Sequence, residues 1–241
     1  AAAVLLIALL AAQTAGAQEE QTLCFVAFDI SGEGTVEFNG DSITNYGSPI
    51  QVDRDLTSIA MFEMALLPDE GYVVSSATYE LFKYKYDNSS TLIKSGVLSN
   101  DEGNHWSFVI NEYPYDNSNS FPLIVVHIVF TKKCKITFNI SGEGTVELQG
   151  EEQWLEVTNG QTIDCSIPYD RDLTITPETG YYVSSVTYVA TEGLSIDLYQ
   201  RDDFQWRLVF NSYEGSDTPT ITVHIVFDKG LAGGADEASA V

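Results

Sequence analysis

The strongest constraint on the fold of this chain is that most of it is written twice. Phe28 to Gly40 (FDISGEGTVEFNG) and Phe138 to Gly150 (FNISGEGTVELQG) agree at ten of thirteen positions. Asp53-Arg54-Asp55-Leu56-Thr57 recurs as Asp170-Arg171-Asp172-Leu173-Thr174, and Pro68-Asp69-Glu70-Gly71-Tyr72 as Pro177-Glu178-Thr179-Gly180-Tyr181. Trp106 pairs with Trp206 and Asn111 with Asn211, and Val126 to Phe130 (VHIVF) returns unchanged at Val223 to Phe227. Self-similarity on this scale means one structural unit used repeatedly. Residues 24–133 and 134–229 are read as two copies of one domain.

The period within each copy is two. Cys24, Val26, Phe28 and Ile30 alternate with residues of the opposite face, as do Cys134, Ile136, Phe138 and Ile140, the pattern of a strand with one buried side. Ser-Gly-Glu-Gly then supplies a tight turn in both copies. Ile124, Val126, Ile128 and Phe130 form the inner face of a closing strand, matched by Ile221, Val223, Ile225 and Phe227. Leu56 to Leu67 (LTSIAMFEMALL) looks helical alone, but the second copy compresses that place to Leu173-Thr174-Ile175-Thr176. A helix cannot fit there, so strand is expected in both. The predicted fold is all-β, two tandem small sandwiches or rolls of about six strands each.

The ends differ from the copies. Ala1 to Ala12 is an apolar run too short to span a bilayer, and Ala15-Gly16-Ala17 follows it. An apolar segment with an A-x-A site is the pattern of a secretory signal peptide, so residues 1–17 are read as a partial signal and 18–23 as a short lead. Residues 230–241, rich in Gly and Ala, read as a flexible linker into a chain that continues.

The succession Gly-x-Gly-Thr-Val, Leu-Thr-Ile-Thr-Pro-x-x-Gly-Tyr-x-Val-x-Ser-Val and a closing Ile-x-Val-x-Ile-Val-Phe resembles the divergent internalin-B-type B-repeats of bacterial surface proteins. The second copy carries it best, in Gly142 to Val146, Leu173 to Val186 and Thr220 to Phe227. The first departs by an insertion before Pro68 and a longer segment after Tyr79. The resemblance implies an extracellular, non-catalytic module, an adhesin-like binding element or spacer, secreted or surface-anchored. It brings no catalytic residues with it. The alternative is a carbohydrate-binding module attached to an enzyme outside this stretch.

Charge narrows the partners. With 35 acidic and 11 basic residues the formal charge is −24, a field that repels nucleic acid and anionic lipid. No later segment is long and apolar enough to insert the mature chain in a membrane, leaving an extracellular glycan or protein as the expected partner. The glycine pairs Gly32/Gly34 and Gly142/Gly144 lack the third glycine and following helix of a nucleotide loop. His127 and His224 occupy one position in separate copies, and no His-x-x-x-His or Cys-x-x-Cys spacing exists; no metal and no cofactor is expected. In Asp53/Asp55 and Asp170/Asp172 the intervening arginine can neutralise its neighbours. Cys24, Cys134 and Cys165 all fall in phase with apolar residues, so buried thiols and a Cys134–Cys165 bridge both stay open.

One feature belongs to the first copy alone. Glu80 to Tyr86 (ELFKYKY), Asp87-Asn88-Ser89-Ser90 and Thr91 to Val97 read as an extended hairpin with Phe82, Tyr84 and Tyr86 on one face. Rings in a row can stack on a ligand or cover the domain's own sheet. Phe82, Tyr84 and Tyr86 are the candidate ligand-binding residues, with no catalytic residue assigned. Trp106 and Trp206 are expected in the cores, and Trp154, which has no counterpart, at the surface.

Overall fold

The computed structural model describes residues 24–44, 48–52, 56, 59–85, 89–111, 113–114, 120–150 and 153–230. The signal segment, the lead, residues 231–241 of the linker, Tyr86, Asp53 and Asp55 lie outside them. The described chain is all β, without a helix. It divides into two compact units, residues 1–131 and 132–241.

In unit 1 the strands are β1 (Cys24–Ser31), β2 (Gly34–Phe38), β3 (Asp41–Ile43), β4 (Ile50–Val52), β5 (Ala60–Pro68), β6 (Tyr72–Lys85), β7 (Ser90–Val97), β8 (Ser99–Glu102), β9 (His105–Ile110) and the first part of β10 (Ser120–Ser141). They form two sheets. One runs β7-β6-β10-β1-β4 and the other β3-β2-β5-β9-β8. Opening strand β1 lies parallel to closing strand β10, from Phe25 opposite Leu123 to Ser31 opposite Val129. The inward set Val26, Phe28, Ile30, Ile124, Val126, Ile128 and Phe130 meets Val36, Phe38, Phe62, Met64, Leu66 and Phe108 of the second sheet. Tyr79 stacks on Phe108 at 4.5 Å and Phe62 on its neighbouring side at 4.9 Å. Offset aromatic stacking at this distance adds to area burial.

Unit 2 repeats the plan with β10 from Lys132, β11 (Gly144–Gln149), β12 (Trp154–Glu156), β13 (Thr162–Ile167), β14 (Tyr169–Pro177), β15 (Tyr181–Ala190), β16 (Leu194–Gln200), β17 (Gln205–Tyr213) and β18 (Thr220–Lys229). Its sheets run β15-β18-β10-β13 and β12-β11-β14-β17-β16. The opening and closing strands are again parallel, Lys135 opposite Thr220 through Ser141 opposite Val226. Phe138, Val146, Leu148, Leu173, Ile175, Leu208, Phe210, Val223 and Ile225 form its separate core.

The turn motif and the closing strand recur together for a steric reason. Gly32 has φ +82° and Gly142 φ +86°, and a Cβ on either would overlap the carbonyl oxygen of Phe130 or Phe227. Gly34 and Gly144 lie against the rings of the same two phenylalanines. Only glycine takes this conformation and this close approach together. The phenylalanine ending VHIVF is thus the surface on which the Ser-Gly-Glu-Gly turn is built.

Of the segment Leu56 to Leu67, read as strand against its helical look, the part from Ala60 is strand, in β5 (Ala60–Pro68), while Leu56 lies in a turn and Thr57 and Ser58 lie outside the described residues. Each unit holds more strands among its described residues than the six expected, the three-residue β3, β4 and β12 among them. So short a piece carries no legible period. Cys134 and Cys165 stand opposite each other on β10 and β13 and are joined as a disulfide, Cα to Cα 4.8 Å. Cys24 stays a buried free thiol, and its register partner on β4 is Val52.

Candidate functional site

The hairpin peculiar to unit 1 exists as expected. β7 pairs along β6 from Thr78 opposite Val97 to Tyr84 opposite Ser90, with a bulge between Leu81 and Phe82. Gly96 faces Tyr79 across the pair, and a Cβ there would press on the Tyr79 ring at 2.7 Å; glycine lets β7 close over the aromatic. Phe82 and Tyr84 are brought together, but in packing. Tyr84 is fully buried in a cluster with Phe25, Ala27, Phe121 and Leu123, flanked by half-buried Phe82 and Val125. Its ring lies 5.2 Å from that of Phe121, which meets Phe25 edge-on at 5.2 Å.

The register explains why. Phe25 and Ala27, opposite Leu123 and Val125, alternate with the core residues Val26 and Phe28 and so point to the other face of the sheet. Unit 1 is apolar on both faces there, and Tyr84 belongs to the cover of the second face. The ring offers no open side to a ligand. At the equivalent places unit 2 has Lys135 and Thr137 opposite Thr220 and Thr222, a polar surface needing no cover.

Farther along that face, His127 stands between two carboxylates. Its Nδ1 is 3.0 Å from Asp29 Oδ2 and its Nε2 3.3 Å from Glu80 Oε2, so the imidazole ties β1, β10 and β6 together. Across the sandwich, Glu37, Gly40, Ser42, Glu63, Ala65 and His105 line an open depression of about 370 Å³. Among the described residues no set of three His, Cys, Asp or Glu side chains is arranged to hold a metal.

In unit 2 the second sheet builds a different outer surface. Leu148, Leu173 and Leu208 point inward, and strict alternation sends their neighbours out. Trp154 pairs with Gln149 across β12 and β11, Leu148 with Leu173 across β11 and β14, Asp172 with Arg207 across β14 and β17, and Arg207 with Tyr199 on β16. The outer row therefore reads Trp154, Gln149, Asp172, Arg207, Tyr199. Trp154 is 43% and Tyr199 48% exposed. Between them the polar groups are fixed. Gln149 Oε1 accepts from the Asp172 amide at 3.3 Å, and Arg201 Nη1 donates to both Asp172 carboxylate oxygens at 3.2 and 3.1 Å. Arg207 Nη2 donates to Asp170 Oδ2 at 2.5 Å, with Nη1 3.7 Å from Asp172. That hydrogen bond from Arg207 to Asp170, together with the nearby carboxylates, holds the guanidinium pKa above its ordinary value.

Arg171 does not neutralise its two neighbours as the Asp-Arg-Asp spacing suggests. Alternation turns it to the face opposite Asp170 and Asp172, where its guanidinium lies 5.4 Å over the Tyr169 ring. Arg201 and Arg207, distant in sequence, take that role. Burial pushes the Tyr169 phenol up to about 12, against the opposing charge of Arg171. Trp106 and Trp206 pack against the two cores, half-buried.

No protein-family model matches the chain, and no curated protein matches it. Among solved structures it is similar to a bacterial adhesin from Mobiluncus mulieris containing intramolecular disulfide, isopeptide and ester bond cross-links. That match has 8% identity over 86% of this chain and 99% of the other, with a TM-score of 0.31. It is also similar to the pilus adhesin SpaC of Lactobacillus rhamnosus GG, at 11% identity over 84% of this chain and 31% of the other, TM-score 0.29. A C-terminal fragment of SpaC matches at 10% identity over 87% of this chain and 98% of the fragment, TM-score 0.29. At TM-scores below 0.5 these likenesses assign neither fold nor function.

The row on unit 2 was only partly legible from sequence. Trp154 stands out in the sequence because the other copy lacks it. Tyr199 does not, although the first copy has Ser99 in its place on β8; comparing outward positions of the two copies, strand by strand, is the signal that finds it.

Proposed function

We propose that the chain is a non-catalytic extracellular module of a secreted or surface-anchored bacterial protein, an adhesin-like element that meets its partner on an exposed sheet face. The Cys134–Cys165 bridge carries this reading, because structural disulfides belong to oxidising compartments. The signal-like Ala1 to Ala17 and the motifs resembling B-repeats support it. Each sandwich buries its inner faces, while the surplus of carboxylates keeps the module soluble.

The test is made on the protein from its producing cells, with thiols alkylated before lysis and peptides mapped without reduction. The expected result is a chain in the surface or medium fraction, cleaved near residue 17, with Cys134 joined to Cys165. Cys24, whose thiol burial pushes up to about 12, is alkylated only after denaturation. A cytoplasmic chain with all three cysteines reduced would overturn the reading.

A further inference from the structure

We propose that the outer face of the second sheet of unit 2 binds an extended, uncharged oligosaccharide, with Trp154 and Tyr199 as stacking platforms and Gln149, Asp172 and Arg207 as the polar groups between them. This rests on the reading of the chain as an extracellular binding module and names the ligand class and the face.

The first ground is the placing of the two rings. The core of unit 2 is complete beneath them, with Leu148, Leu173 and Leu208 at most 2% exposed. Trp154 and Tyr199 leave large apolar faces in water on the outer side, where the strands between carry charged and polar residues. An amphipathic ring with one face open suits a surface that is apolar in patches and polar at its edges. A pyranose is such a surface, with C–H groups on its faces and hydroxyls around its rim.

The second ground is the polar stretch between the rings. Arg201 and Arg207 hold Asp172 and Asp170 in fixed directions, so donors and acceptors are ordered before any ligand arrives. A carboxylate keeps lone pairs and a guanidinium keeps N–H groups beyond those already engaged, and these forks match the adjacent hydroxyls of a sugar. Preorganisation lowers the cost of binding.

Size and charge narrow the class. Trp154 and Tyr199 stand on the first and fifth strands of the sheet, four spacings or roughly 19 Å apart. That span fits an extended oligosaccharide and leaves a single sugar touching one ring only. The sheet's twist makes the face a saddle, better suited to a single flexible chain than to a flat crystalline surface. Both arginines are already paired with carboxylates, and a formal charge of −24 works against sulfated or uronic-acid polymers.

Unit 1 supplies an internal comparison. Its β2–β3 hairpin turns at Asn39-Gly40, with φ +53° and +89°, the left-handed pair of a two-residue turn. The hairpin thus closes before an equivalent of Trp154. Glu63, Ser107 and Ser99 stand across β5, β9 and β8 where unit 2 has Asp172, Arg207 and Tyr199. Among the described residues, one copy carries the pair of rings on this face and the other does not.

The whole protein is titrated with cello-, xylo-, manno- and chitohexaose, with oligogalacturonate and heparin as anionic probes, following tryptophan fluorescence and heat. At least one uncharged hexaose is expected to bind with exchange fast enough to titrate, and the anionic probes are not. Trp154→Ala and Tyr199→Ala should each weaken binding about tenfold, and the double variant should abolish it. Both residues are exposed, so melting temperatures stay within a degree or two of the parent. Leu92→Ala, at an exposed site of unit 1, should change nothing. Failure of every uncharged hexaose, binding that survives the double variant, or binding of the anionic probes alone would overturn the proposal. Because localisation and cysteine state are read separately, such a failure leaves the extracellular reading standing or falling on its own test.

Discussion

The two units share one strand plan and differ in what each does with the outside of its sheets. Unit 1 makes the outer side of its first sheet apolar with Phe25, Ala27, Leu123 and Val125, and spends the long hairpin β6–β7 and Tyr84 on that side. Unit 2 places Lys135, Thr137, Thr220 and Thr222 there, stops β15 at Ala190, and carries exposed rings on its other sheet. Unit 2 also locks its opening strand to β13 by a disulfide, where unit 1 has Cys24 opposite Val52. A duplicated fold keeps its inner alternation because one wrong residue there leaves a hole or a buried polar group. Its outer alternation is free to diverge, and that is where the copies have separated.

The comparison can be broken most forcefully at Tyr84. Tyr84→Ala empties a fully buried aromatic site, and unit 1 should lose about 3–5 kcal/mol while unit 2 is untouched. Two-stage denaturation followed by Trp106 and Trp206 fluorescence separates the effects. An unchanged unit 1 would show that the second apolar cluster contributes nothing.

Next comes the covalent difference. Cys165→Val gives unit 2 the Cys–Val pair of unit 1 and opens a loop with a separation of 31 residues, so unit 2 should lose about 3 kcal/mol. The reverse exchange sharpens the point. Val52→Cys places a second thiol opposite Cys24, and oxidation should close the bridge and raise the stability of unit 1 by roughly 2–3 kcal/mol. Thiol titration before and after oxidation, with a melt of each form, reads both.

A smaller effect is the response to alkali. Burial pushes the Cys24 thiol up to about 12 from an ordinary 9.0, so the unfolded chain ionises first. Unit 1 keeps its full stability below pH 9 and loses it as pH rises from there through 12, by about 1.4 kcal/mol at pH 10. Unit 2 has no thiol to ionise at that site. Burial, opposed by Arg171, raises the Tyr169 phenol from 10.0 to about 12, so its loss starts one pH unit later. Cys24→Ala should flatten the unit 1 slope between pH 9 and 10; an unaltered slope would contradict this assignment.

These differences mark where sequence reasoning reached and where it stopped. The inner faces are legible because alternation over five or more residues, seen twice, allows one register only; comparing the copies gives strand over Leu56 to Leu67, and β5 takes up that stretch from Ala60. The short edge strands escaped, having no period to show. The aromatic hairpin was visible, but alternation gives the face of Tyr84 without telling what lies over that face. The Asp-Arg-Asp spacing misled for the opposite reason. Residues adjacent in a strand point apart, so the arginines that pair with Asp172 and Asp170 are Arg201 and Arg207, 29 and 37 residues away.

The central claim is that each copy is a sandwich around its own core. Hydrogen exchange of the intact protein, with and without a reductant that opens Cys134–Cys165, tests it most directly. The expected result is lost protection in β11 to β18 and in β10 beyond Lys132, with β1, β2, β5 and β9 unchanged. Equal loss of protection in both halves would contradict it.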